Sequence, residues 1–217
     1  MPGRKSVPPR QPGSPVREIA SGIFHWSAFH PDQKVVVSSY YVDSSRVLID
    51  PMVPDEGLGW FEARPPEHVL LTNRYHSRGS AVFADAFGCS VRCHRAGLEH
   101  VRERTPSAEP FEHGEVLAGG IEALAVPGEV PDETSLFVPT AGGALTFADI
   151  LIREGDGPLG YAPEGWYGND PEPAKARVVE AGRALLVLDF RHLLLTHGEP
   201  MVDAGKEALR VFLEQER

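Results

Sequence analysis

The sequence predicts an α/β protein, specifically a four-layer αβ/βα sandwich in which two sheets pack face to face between outer helices. Three observations predict it. Strand and helix patterns alternate through the first half of the chain, a second set of short strands follows, and two helical patterns close the chain. With 217 residues the chain can bury a sizeable core as a single domain.

Residues 1–16 are Pro, Gly, Ser, Arg and Lys with almost nothing apolar, which predicts a disordered tail ahead of one domain over residues 17–217. Residues 19–26, 34–43 and 46–50 read as strands, the second from its β-branched and aromatic content. A short helix is expected over 55–63 and a buried strand over 68–71. Ser80 and Gly88 bracket a second helix as its start and stop, and a strand follows around Val91. Residues 95–104 fit a helix or a loop. The second set of strands falls at 115–118, 121–126, 134–139 and 144–147. Residues 171–186 carry helical spacing, 191–196 a short buried strand, and 203–216 an amphipathic closing helix with Asp203 as its cap.

Between the strand at 68–71 and the helix at Ser80 lies Thr72-Asn73-Arg74-Tyr75-His76-Ser77-Arg78. This segment resembles the Thr-His-x-His-x-Asp-His loop of the metallo-β-lactamase superfamily with its ligands replaced. Three further segments resemble that family in order: Pro127-Gly128-Glu129, the strand region reaching Asp149, and Leu193-Leu-Leu-Thr196-His197-Gly198. The resemblance runs from about Ile19 to the C-terminus and implies two adjacent zinc sites at a sheet edge. It places Asn73, Tyr75, Arg78, Glu129, Asp149 and His197 in one cleft.

The residue types argue against that metal complement. Zinc needs lone-pair donors at roughly 2.0–2.2 Å. Arg78 has none, Asn73 and Ser77 are poor ligands, and Tyr75 ligates only as a phenolate. His76 is an imidazole, but it sits at a variable position of the family frame. A loop histidine bonded to backbone or solvent is its default reading, with a metal-ligand role as the alternative, and it is counted among the candidate cleft residues. The expectation is therefore no metal cofactor, and the alternative is one zinc or manganese ion on Glu129, Asp149 and His197. Without a metal, Arg78 is expected to pair with Asp149 or Glu129, or else to point to solvent.

A net charge of −10 disfavours a nucleic-acid partner. A small anionic ligand could still meet the local group Arg74, Arg78, Arg92, His94 and Arg95, whose alternative reading is a solvated face. No apolar run approaches the roughly 18 residues of a membrane span, and no signal peptide is evident, which together suggest a cytoplasmic protein. Cys89 and Cys93 read as buried thiols, being roughly 13 Å apart along a strand. Residues 155–171, rich in Gly, Pro and aromatics, read either as a lid bearing Trp166 and Tyr167 at the mouth of the site or as a loop pinned by those rings. Three functions remain open: a binding or regulatory module or an enzyme of unrelated chemistry, a hydrolase of thioesters, lactams or lactones with one metal, and a structural protein with a filled cleft. The residues do not indicate an oligomeric state.

Overall fold

Parallel strands need crossovers, and the chain supplies one helix for each. A computed structural model describes residues 13–128, 130–167 and 170–216. Strands β1 (Ser14–Ala20), β2 (Ile23–His30), β3 (Val35–Val42), β4 (Val47–Ile49), β5 (His68–Leu70), β6 (Ser90–His94) and β7 (Glu109–Phe111) form a seven-stranded sheet in chain order. Pairing is antiparallel from β1 to β4 and parallel from β4 to β7. The helices α1 (Gly59–Glu62), α2 (Ser80–Phe87) and α3 (Leu98–Arg102) make the three parallel crossovers. Strands β8 (Glu122–Ala125), β9 (Thr134–Val138) and β10 (Ala144–Phe147) enter a second sheet. The two-residue strands β11 (Leu151–Ile152) and β12 (Gly160–Tyr161) pair with each other. Helix α4 (Pro171–Leu185) then leads to β13 (His192–Leu195), which lies parallel to β10, and α5 (Gly205–Gln215) ends the fold. The second sheet runs β13-β10-β9-β8.

Side-chain alternation sorts the core into three apolar layers. Tyr40, Val42, Val47 and Ile49 meet Leu136, Val138, Ala144 and Leu194 between the sheets. Tyr41, Leu48 and Val69 point the other way and pack with Phe61 and Phe83 of α1 and α2. Leu145, Phe147, Leu193 and Leu195 pack against Val178 of α4 and Leu209 and Phe212 of α5. Helix, sheet, sheet and helix are thus the four layers the sequence predicts.

Several boundaries differ from expectation. The strand expected at 19–26 is two strands, because the chain reverses at Gly22, whose φ of 73° suits glycine. Ser14, Pro15 and Val16 lie in β1 rather than in the tail, and residues 1–12 fall outside the described residues. At 115–118 only Val116 bridges, to Glu122, while β7, where Pro110 hid the pattern, and the two-residue β11 and β12 are strands the sequence did not predict. Only Gly59–Glu62 of residues 55–63 is helical. Ala204, not Asp203, caps α5, while Asp203 pairs with Arg191 at 3.1 Å. Cys89 and Cys93 are free and buried, and burial pushes their thiols up to about 11 and about 12.

Gly88 stops α2 in the left-handed region, at φ 69°, its N–H donating to Ala84 O at 2.9 Å. Gly88→Ala should lower stability by about 1–2 kcal/mol in a denaturant titration, since an L side chain is strained there.

Candidate functional site

The parallel pairs β4–β5 and β10–β13 end at one edge, and outside the carboxyl ends of such strands ligands bind. Asp50 follows β4, Thr72 and Asn73 follow β5, Asp149 follows β10, and His197 follows β13. Asn73 extends the β5 end into a 3-10 turn, Arg74–Ser77, and caps it by accepting the Tyr75 N–H at 2.9 Å. That turn rotates His76 inward until it is 1% exposed.

His76 Nδ1 lies 2.8 Å from Thr72 Oγ1 and 3.0 Å from Asp50 Oδ2. Thr72 Oγ1 itself donates to Asp50 Oδ2 at 2.5 Å, and the Thr72 N–H donates to Oδ1 at 2.9 Å. Nδ1 therefore carries a proton, and the Nε2 of His76 faces Asp149 Oδ2 at 3.1 Å. A neutral imidazole would there oppose a lone pair to a carboxylate, so a positive charge belongs between them, either a proton or a metal ion. Asn73 Nδ2 donates to the same Asp149 oxygen at 3.0 Å and to Glu133 Oε2 at 3.3 Å, and Glu133 Oε1 accepts the Asp149 N–H at 2.9 Å.

His197 Nε2 stands 3.2 Å from Asp149 Oδ1, yet that buried oxygen has no aligned hydrogen-bond partner. His76, Asp149 and His197 each present one ligand atom, and these lie within 4.8 Å of one another. Carboxylate–histidine pairing of the Asp50–His76 kind fixes an imidazole for metal ligation. The donor set thus fits one divalent ion, while the pair of ions implied by the family motif does not fit, because Asn73, Tyr75, Ser77 and Arg78 add no competent donor set.

The charges follow from burial and neighbours. Burial by itself lowers the His76 pKa, but Asp149 and Asp50 outweigh it and raise the value to about 9. Asp149 would be raised by burial, yet His76 and His197 hold it well below the usual carboxylate range. Burial and the neighbouring Asp149 push Glu133 up to about 8. Burial lowers His197 despite Asp149. Two groups, His76 and Glu133, thus keep protons in the folded state that an unfolded chain has released. In chelated protein, thermal unfolding should show stability falling from about pH 6.5 to about pH 9; a stability that holds or rises over that interval would contradict these assignments.

Among the described residues Arg78 pairs with neither Asp149 nor any other carboxylate, and the alternative partner, Glu129, lies outside them. The Arg78 Nη1 donates to Ser38 O at 3.1 Å and Asp50 O at 3.2 Å, and its Nε and Nη2 are buried without a hydrogen-bond partner among the described residues. The reason is local: Arg78 has φ 34° at the end of the 3-10 turn, and the guanidinium runs beneath the Asp50 end of β4 rather than toward Asp149. Tyr75 is exposed and lines the mouth, and Glu129 lies outside the described residues. Asp50, Thr72 and Glu133 are site residues that the sequence reading missed. An acid directly after the apolar Val47-Leu48-Ile49, and acids at Asp132 and Glu133 directly before the buried β9, were the available signals.

A cavity of about 360 Å³ opens over the cluster, lined by Gln33, Val35, Tyr75, Asp149, Trp166 and His197. Trp166 meets the His197 ring edge-on at 5.0 Å, while Tyr167 is buried and donates to Ile150 O at 2.5 Å. The two rings divide the roles expected of their loop, one lining the cleft and one pinning the backbone. The arginines of the expected basic group are engaged: Arg74 with Asp132, Arg92 with Glu115 and Arg95 with Glu112.

No family model matches the sequence, and no curated protein matches it. Solved structures do match. The DIM-1 metallo-β-lactamase, in a crystal exposed to ceftazidime, superposes with a TM-score of 0.67 at 15% identity, over 96% of this chain and 99% of that one. The chain has the metallo-β-lactamase fold. A B3 metallo-β-lactamase described as the first with an active-site glutamic acid gives 0.61 at 18% identity, covering 95% and 88%. TTHA1623 in a di-iron-bound form gives 0.59 at 22% identity, covering 76% and 89%. At these identities the likeness concerns the metallo-β-lactamase fold alone. Within that fold, among the described residues, the cluster able to hold a metal is His76, Asp149 and His197. No helix of the described residues is long and apolar enough to cross a membrane.

Proposed function

We propose that the chain is a hydrolase that works with one divalent cation, zinc or manganese, held by His76, Asp149 and His197, on a lactone, thioester or lactam. The observation that carries this reading is the Asp149 carboxylate with the Nε2 atoms of two histidines at 3.1 and 3.2 Å from its two oxygens. When bound, such an ion supplies Lewis acidity and lowers the pKa of a coordinated water. The protein's part is orientation. Asp50 and Thr72 hold the His76 tautomer, and Asn73 fixes one Asp149 oxygen, so that the other faces His197. Glu133 anchors the Asp149 backbone from the buried side, while Tyr75 and Trp166 wall the cavity in which a substrate carbonyl must lie.

A second reading is favoured by the charge count. Asp50 and Asp149 are balanced by a protonated His76 and by Arg78 without any metal, which suits a small-molecule binding or regulatory module. Elemental analysis separates the two. Protein purified without chelator, then resupplied with zinc or manganese, should retain about one ion per chain and hydrolyse a panel of lactones, thioesters and lactams. Retention of no ion by the wild-type protein, with a folded thermal transition, would overturn the metal-dependent reading.

A further inference from the structure

A second cavity of about 510 Å³ adjoins the first, and the two share Val35 and His197. The β2–β3 turn straddles the boundary, since Gln33 lines one cavity and Lys34 the other. Lys34 adopts φ 58°, a conformation that favours glycine and strains an L side chain. Strain of this kind is retained where a side chain is used. Of the neighbouring charges, Asp32 is engaged with Arg104, Arg17 with Glu199, and the Arg153 guanidinium with the carbonyls of Gly157, Glu199 and Pro200, while Glu154 also lines the cavity. Lys34 makes no side-chain hydrogen bond or ion pair among the described residues, and this exposed residue lines a cavity that also contains Phe29 and Val36.

We infer that Lys34 is a specificity-determining residue that selects a monoanionic ligand, with the carboxylate at Lys34 and a planar arm between Tyr75 and Trp166. One negative charge is specified because Glu154 lines the same cavity and would repel a second. The inference rests on the cleft being the substrate site, and does not require that a metal be bound.

The test is Trp166 fluorescence during titration with N-benzoylglycine and with its uncharged amide, in chelated protein and again with manganese, using Trp166→Phe to isolate the signal. The wild-type protein should bind the acid about tenfold or more tightly than the amide. Lys34→Gln and Lys34→Gly should bind both equally weakly, Lys34→Arg should restore the preference, and Lys34→Gly should melt no lower than wild type. Equal affinity for acid and amide in the wild-type protein, undiminished acid binding in Lys34→Gln, or no binding of the acid would overturn the inference. Metal retention is measured separately, so an acid preference in chelated protein stands even if no ion is held.

Discussion

Asp149→Ala is expected to abolish retention of a divalent ion and to destabilise the chelated protein by about 3–5 kcal/mol. Asp149 accepts from His76 and Asn73 and faces His197, and its backbone N–H is held by Glu133. Removing the carboxylate leaves the His76 imidazolium and the buried Arg78 with Asp50 alone, so His76 must shed its proton or remain undercompensated. Urea titrations at pH 6 measure the loss. A midpoint within error of wild type would show that Asp149 is not the counter-charge of this cluster.

Asp50→Asn should have the next largest effect, and its signature is different. Asparagine tolerates the φ of 48° found at this position, so the backbone survives and the charge is the main loss. The Thr72 hydroxyl, the Thr72 N–H and His76 Nδ1 all converge on this carboxylate. Without it, the His76 tautomer is no longer fixed, and metal affinity should fall about 10–100-fold, the range for losing such a partner. Competition with a chromogenic chelator reads this directly. His76 should also titrate lower in the variant, by NMR of the chelated protein, because one of its two raising charges has gone.

The layers were legible from the sequence because apolar alternation in segments such as residues 34–43 and the helical spacing of 171–186 report burial directly. Asp149 and His197 were placed together by the family resemblance, and His197 Nε2 stands 3.2 Å from Asp149 Oδ1. His76 was not, because a motif frame assigns roles by sequence offset, whereas the 3-10 turn after Asn73 and the unusual φ of Arg78 decide which side chain faces inward. The expectation of a cation beside Asp149 followed from the cost of burying a carboxylate. Its identity did not, since nothing in the spacing shows that Arg78 runs under β4 to the carbonyls of Ser38 and Asp50. Asp50 read only as the last residue of the strand at 46–50, and its burial became evident only when β4 and β5 were side by side.

Anomalous diffraction from crystals grown with manganese tests the central claim most directly. The account predicts one peak per chain within ligand distance of His76 Nε2, Asp149 and His197, with Asp50 still on His76 Nδ1. No peak at this edge, two peaks side by side, or a peak that leaves His76 uncoordinated would contradict it.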